Sequence, residues 1–547
     1  MRGITVRSAA RTSAGKSGGD AAARRFPWIS PITAVITVAT LLALGLRIYL
    51  LSRPGYLLGV TEYDDGPYFG SAVRLVDGVL PYRSFILVQP PGITLLMTPA
   101  ALMAKVIGTA GGMVIGRILT MLASAAAVVL GGLLVRHRGL VAVTVCCGII
   151  AVYPDSVLTA RTVLVEPWLV LFCLAGALAV FDGDRPTDSR RRLLWGGVAF
   201  GFAGAVEAWA IVPVLVVIGV LLGLRVYKRA ALYLGGVAAG FLVPVVPFAA
   251  LAPRGFYDSL VTAQIGPRKD VSRASLQYRL QQITGLFTTH GASHALVEGV
   301  VIGVICLVLG CMVCASLLTR RPPPPLEWFG VVTSVLVVVM FLWPPQFHYH
   351  FPTFLAPFLA LAVALPLARF VTAVRQTGDR QGNGAMLRWG EAVVAGLAVV
   401  VLVVFSVFAF QMVGHLKAKS YQEVVAARRL IPPGSCLFTD TVAFAIMTNR
   451  FVSKVPGCSV MDDGLGTDLA LSHGLSPSTG AAKVPAVEAV WWNGFRNAQF
   501  VWLSRYRGRR IAWTPELRSY LNNHFVIVLS YGQQGRLFER KSLVHKT

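Results

Sequence analysis

The chain has 547 residues, of which 55% are hydrophobic and 14% charged, and its formal net charge is +25. Soluble domains run at roughly 45–50% apolar and about 25% charged residues, so a large soluble enzyme is excluded. An excess of 50 Lys and Arg over 25 Asp and Glu would suggest nucleic acid in a soluble chain. In a membrane chain it sets topology instead, and no nucleic-acid partner is expected.

Residues 1–29 carry six basic residues and one acid without an apolar core, and read as a disordered basic cytoplasmic tail rather than a signal peptide. Pro31 to Leu51 is long enough to span a bilayer. Further spans are expected near 113–135, 139–153, 163–181, 193–207, 209–224, 231–252, 295–318, 326–343, 350–369 and 389–413, about eleven in all, within a transmembrane region of residues 30–413. The connections Arg136-His137-Arg138, Arg185 with Arg190-Arg191-Arg192, Arg225 with Lys228-Arg229, Arg320-Arg321, and Arg369 to Arg388 then share one side, cytoplasmic by the positive-inside rule. Gly92 to Gly108 is also apolar, but a span there would invert everything downstream. It is expected to lie in the interface or to re-enter from outside.

The loops 52–112, 154–162, 253–294 and 344–349 thereby fall outside, as does the tail 414–547. The tail alternates helix-like patches with β-rich runs at Cys436–Thr439, Phe500–Leu503 and Phe525–Leu529, separated by turn signals such as Pro432-Pro433-Gly434. The expected fold is an all-α polytopic membrane protein with a small C-terminal α/β extracytoplasmic domain. Six of the eight cysteines fall in expected helices as packing residues. Cys436 and Cys458 stand alone in the outer domain, where a disulfide can persist; no zinc-site spacing is present.

The first outer loop carries Glu62-Tyr63-Asp64-Asp65, three carboxylates in four residues of an acid-poor chain. Adjacent carboxylates repel, so one titrates high or needs a cationic partner, which suits a general base near neutral pH. The plainer reading is a solvated loop or a helix N-cap. Downstream stand Pro81-Tyr82-Arg83, then Gln89-Pro90-Pro91-Gly92, and farther on Arg161 and Glu166-Pro167-Trp168 at the outer mouth of a span.

In these segments the sequence resembles the GT-C membrane glycosyltransferases, in particular the branch with protein O-mannosyltransferases and aminoarabinose transferases. The resemblance covers roughly residues 30–370 in organisation. It implies a polyprenyl-phosphate-linked sugar donor and a glycan, lipid or protein acceptor. It also implies that Asp64 matches the acid that activates the acceptor hydroxyl, and that Glu166 matches a second outer-face acid. Asp65 stands where Glu is more usual, which leaves open which of the pair is the base. Gln89 replaces a Lys that in many relatives meets the donor phosphate, so another cation must do so here.

Arg268, Lys269 and Arg273 form an outer basic cluster against the positive-inside trend, and that cluster asks for an anion such as a lipid phosphate. Arg83 and Arg161 are alternatives. His348 and His350, at i and i+2 in a run of aromatics, would share a face in an extended segment and contact phosphate or sugar. A metal site would want a third ligand, and the transfer scheme requires no metal or other cofactor. Glu207 reads as a solvated helix end, Glu298 likewise, and Asp462-Asp463-Gly464 as a turn in the soluble domain; Arg505 to Arg510 is a basic surface patch suited to anionic lipid or envelope polymer.

The expectation is an inverting membrane glycosyltransferase acting on the outer face of a bacterial cytoplasmic membrane. Arginine outnumbers lysine 40 to 10, a bias of GC-rich bacterial genomes, and mannose and arabinose are among the fitting sugars. A flippase of lipid-linked sugars without chemistry is the alternative, but it would spread polar residues through the spans, whereas here the acids gather at one face. A non-catalytic membrane anchor for the outer domain fits least.

Overall fold

The computed structural model describes residues 30–265, 274–286, 293–344, 347–380, 384–417, 420–504, 510–531 and 535–544. The basic tail 1–29 expected to be disordered lies outside them. A helix stands at each of the eleven expected span positions: α1 (Pro31–Ser52), the second part of α3 (Gly92–Val135), α4 (Leu140–Val152), α6 (Glu166–Val180), α7 (Arg190–Val206), α8 (Ile211–Gly223), α9 (Tyr227–Leu251), α10 (His294–Thr319), α11 (Pro325–Leu342), α12 (Pro352–Arg380) and α13 (Gly384–His415). Two shorter helices, α2 (Asp65–Val76) and α5 (Pro154–Thr159), lie in the connections between them. Among the described residues six helices are both long and apolar enough to cross a membrane, and three more are apolar but shorter.

Local chemistry sets the starts. Ser30 accepts the Thr33 N–H ahead of Pro31, and Ser189 and Ser293 cap α7 and α10 the same way. Lipid offers little hydrophobic drive between helices, so close backbone approach matters. Helices α7 and α9 meet on glycine: a Cβ on Gly201 would stand 2.1 Å from the Val237 carbonyl, and one on Gly240 2.1 Å from that of Val198.

Helix α3 is two helices joined at Gly108, whose φ of 82° and ψ of 161° are open to glycine alone. The break separates Gly92–Ile107 from the helix that follows. The first part exposes Leu102, Met103, Val106 and Ile107, the last 47% and Val106 82% accessible, a surface suited to lipid contact.

In the tail, β1 (Leu437–Thr439) runs parallel to β2 (Phe500–Leu503), which pairs antiparallel with β4 (Arg536–Arg540), and β4 pairs with β3 (Phe525–Ser530), giving the order β1-β2-β4-β3. Three strands match the β-rich runs; β4 had no such signal. The Cys436–Cys458 disulfide is formed, with Cα atoms 5.5 Å apart. The sheet's core, with Phe438, Trp491, Phe495 and Val501, belongs to the tail alone. A second core joins the tail to α2 and α3: Phe69, Ile93, Met97 and Met113 pack with Phe444, Ile446, Phe451 and Trp502.

One end of the bundle is an ion-paired surface. Arg138 meets Asp184 at 2.7 Å, Arg192 meets Asp182 at 3.4 Å, and Arg369 meets Glu327 at 3.1 Å. These residues lie at the opposite ends of α6, α7 and α12 from Glu166, Glu207 and His350. The fifteen-residue α6 separates the two ends by about 22 Å.

Candidate active site

The adjacent acids diverge in fate. Asp65 begins α2 fully buried, and its Oδ2 accepts from Arg117 at 3.1 Å and from the Thr162 hydroxyl at 2.5 Å. Arg117, also fully buried in α3, donates to the carbonyls of Tyr56, Leu57 and Gly59 at 2.7–3.0 Å. Asp65 therefore balances the cation that pins the Tyr56–Gly59 segment to the bundle. Asp64, one residue earlier, leaves a third of its side chain accessible and has its Oδ2 3.8 Å from His350 Nε2. Its recessed position pushes its carboxyl up to about 7; His350 opposes the shift, while Glu62, Asp463 and Glu166 add to it.

His350 stands just before α12, its Nδ1 bonded to the buried Glu166 carboxylate at the start of α6. Burial works against its charge, but Glu166, then Asp64 and Glu62, carry its pKa to about 9, so the imidazole is a cation at neutral pH. Glu62 accepts from the Tyr349 hydroxyl at 2.6 Å and lies 3.5 Å from Arg161. Burial would raise the Glu62 carboxyl; Tyr349 and Arg161 hold it below its ordinary range. Gln89 Nε2 donates to the Tyr68 hydroxyl at 3.1 Å. Burial, then the fields of Asp64, Glu166 and Glu207, raise the Tyr68 phenol far above its usual range.

Two plain readings of the sequence are corrected here. Glu207 is not a solvated end: it is 8% accessible where α7 breaks, and its Oε1 accepts only from the N–H of Ala208 among the described residues. A Gly92 Cβ would stand 2.5 Å from the Ala205 carbonyl, so the Pro-Pro-Gly turn abuts that break. Asp462 and Asp463 are likewise no surface turn. Asp463 accepts from Tyr63 Oη at 3.0 Å and from the Gly466 N–H at 2.9 Å, and Tyr63 Oη accepts the Leu465 N–H in turn. Asp462 is fully buried against α2, both oxygens without a hydrogen-bond partner among the described residues, and burial, with Arg74 opposing, drives its carboxyl far upward. Glu298 is exposed near the start of α10, as expected.

The structure thus gathers Asp64, Asp65, Glu166, Gln89, Arg161 and His350. Arg161 is taken up by Glu62, the Tyr349 hydroxyl at 2.9 Å and the face of Tyr56, which leaves it a poor phosphate ligand. Arg83 is exposed on the rim of a separate cavity with Ser459, Met461 and Asn493, and no contact joins it to Asp64 among the described residues. His348 is exposed; the segment turns at Tyr349 and His350 rather than running extended, and the two imidazole rings stack 5.5 Å apart at 22°. Arg268, Lys269 and Arg273 lie outside the described residues, as do residues 505–509 of the basic patch; its Arg510 donates to the Thr441 hydroxyl at 3.1 Å and lies over the Tyr63 ring. On one side of the 266–273 segment Gln264 donates to the Val88 carbonyl at 2.7 Å; on the other, Arg279 donates to the Phe341 and Pro344 carbonyls. Both flanks are therefore anchored near Gln89 and the His pair. Among the described residues no group of three or more His, Cys, Asp or Glu is arranged to hold a metal ion.

Arg117 carried a signal the sequence reading passed over: a lone cation within an apolar run is by default a functional or architectural residue. Arg47 in α1 is a second case, fully buried and bonded to Ser124 and to the carbonyls of Ala151 and Ser156.

Residues 88–345 match the family model described as Glycosyltransferase family 87. No curated protein matches the chain. The fold is similar to that of ArnT from Cupriavidus metallidurans bound to undecaprenyl phosphate (TM-score 0.57, 13% identity, 93% of this chain and 97% of that one). ArnT in the apo state matches with TM-score 0.53 at 14% identity over the same shares. The oligosaccharyltransferase of Archaeoglobus fulgidus in the apo form matches with TM-score 0.52 at 12% identity, covering 87% of this chain and 70% of that one.

Proposed function

We propose that this chain, whose residues 88–345 match the model of Glycosyltransferase family 87, is a membrane glycosyltransferase that moves one sugar from a polyprenyl-phosphate donor to an acceptor hydroxyl. The transfer takes place on the outer face of a bacterial cytoplasmic membrane, with the N-terminus inside and the C-terminal domain, residues 414–547, outside. Carrying the reading is the meeting, at one end of the bundle, of an accessible Asp64 with the Glu166–His350 pair. The ArnT structure bound to undecaprenyl phosphate supports the lipid class of the donor.

In this scheme Asp64 is the base. It takes the proton of the acceptor hydroxyl as that oxygen attacks the anomeric carbon, and the lipid phosphate departs from the opposite side. One displacement inverts the centre. Asp65 does not touch substrate; it holds Arg117. Glu166 fixes His350 as a cation, and that charge lowers the Asp64 carboxyl toward its working range and faces the leaving phosphate. Burial makes such fixed charges effective, so most of the rate comes from positioning and electrostatics. Arg268, Lys269 and His348 complete the phosphate contacts, and no metal is required. The acceptor is a glycan, lipid or protein of the envelope.

The test is transfer from a radiolabelled polyprenyl-phospho-sugar to an envelope extract. Wild-type protein should give labelled product and Asp64→Asn should give about a hundredth of it or less at equal membrane abundance. Full transfer by Asp64→Asn would overturn the assignment.

A further inference from the structure

At the end of the bundle remote from Asp64, a cavity of about 1730 Å³ opens between α8, α9, α11 and α12, beneath the hairpin of residues 181–186. Small-molecule sites usually measure roughly 300–1,000 Å³, so this one is sized for something larger. Its mouth is cationic. Five arginines line it against three aspartates, Asp182, Asp184 and Asp188. Arg138, Arg229 and Arg369 are occupied by Asp184, Asp188 and Glu327. Arg185 and Arg321 are exposed and form no ion pair among the described residues.

Below the mouth the walls turn apolar, with Leu215 and Val220 on one side and Trp328, Val332 and Leu336 on the other. Gly219 and Gly223, one turn apart on α8, line this wall, and a Cβ on either would meet nothing within 4 Å. They leave an open slot where leucines would fill it. From Pro325 to Leu336 the α11 wall is about 16 Å deep. Leu215, Trp328 and Leu336 are 42–55% accessible, as side chains facing lipid are.

We propose that this cavity binds one anionic phospholipid. Its phosphate sits at Arg185 and Arg321, whose planar forks suit phosphate oxygens, and an acyl chain runs down the slot beside Gly219 and Gly223. The lipid comes from the cytoplasmic leaflet, a placement that rests on the orientation proposed above; binding itself does not. Occupancy would add a lipid-mediated contact to the direct packing that α8 and α11 already make.

Native mass spectrometry of the full-length, delipidated protein tests this. The protein is incubated separately with phosphatidylglycerol and with phosphatidylcholine of the same acyl chains. Wild type should retain phosphatidylglycerol about tenfold more, each basic residue adding its share. Arg185→Ala with Arg321→Ala should remove that preference, and the paired Lys substitutions should keep most of it. Gly219→Leu with Gly223→Leu should lower retention of both lipids, and these two sites have room for the added side chains. Equal retention of the two lipids by wild type, or undiminished phosphatidylglycerol on both the Ala and Leu pairs, would overturn the proposal. So would displacement of bound lipid by inorganic phosphate alone, which would mark an anion site without an acyl slot. Sugar transfer is not the readout, so failure here leaves the Asp64 assignment standing, and the reverse.

Discussion

His350 spans two acids: its Nδ1 is bonded to Glu166, and its Nε2 lies 3.8 Å from Asp64 Oδ2. One carboxylate anchors the imidazole and fixes its charge. The other feels that charge while keeping a third of its own surface open to a reactant.

A pH profile follows. The Asp64 carboxyl sits near 7 and must be ionised to accept a proton, so kcat/KM should rise with unit slope through about pH 7 and then level. His350 is a cation below about pH 9 and lowers the Asp64 value. His350→Gln removes that charge, so the acid limb should move to higher pH. A limb that stays put, or moves down, would break the link between the two residues.

Neutralising either Asp of the pair should give different defects. Asp64→Asn should cut kcat by a factor on the order of 10²–10⁴, the usual share of a general base, with an unchanged melting temperature. Asp65→Asn leaves Arg117 buried without its counter-charge, which costs about 3–5 kcal/mol. Its signature should be a lower melting temperature and poor yield. Equal thermal stability of the two variants would contradict the division of roles.

Contact between α2 and the tail is tight at Gly70. A Cβ there would stand 2.2 Å from Asp462 Oδ1 and 3.1 Å from the Phe451 ring. Gly70→Val should cost about 1–3 kcal/mol by overpacking and lower transfer as well, because α2 carries Asp64 and Asp65 at its start. Thermal unfolding and labelled-sugar transfer would be read together; a stable, fully active variant would show that the interface yields freely.

The disulfide closes a loop with a sequence separation of 22 residues. Chain-entropy arguments put its worth at about 3 kcal/mol. Cys436→Ser with Cys458→Ser, or reductant, should lower the melting temperature of the full-length protein, whereas reductant should leave the double variant unmoved. A wild-type protein indifferent to reductant would show the bond to be dispensable.

What the sequence made legible was local. Asp64, Glu166 and the His pair announced themselves through short-range oddities: clustered acids in an acid-poor chain, an acid at a helix mouth, two imidazoles among aromatics. Spans were legible because hydropathy and the basic loops are both written along the chain. Partnerships were not. Arg117 and Asp65 are 52 residues apart, Thr162 and Asp65 97, and Tyr63 and Asp463 400. Glu207 and Asp462 looked solvated because a string of letters carries no burial. Strand β4 was missed since Arg536-Leu-Phe-Glu-Arg540 has charges at its ends and only two apolar residues; pairing with β2 on one side and β3 on the other makes it a strand.

The break at Gly108 has a partner at the far end of the chain. Asn449 Oδ1 accepts the Ala110 N–H at 2.7 Å and the Thr109 hydroxyl at 3.2 Å, capping the span that follows. The same span carries Arg117, and so the acidic loop. Assembly is thereby ordered: a nascent chain that has inserted its helices still lacks the cap until the segment around Asn449 has emerged and folded. A product clipped before the tail would leave Phe69, Ile93 and Met97 without the Phe444, Ile446 and Trp502 side chains that cover them.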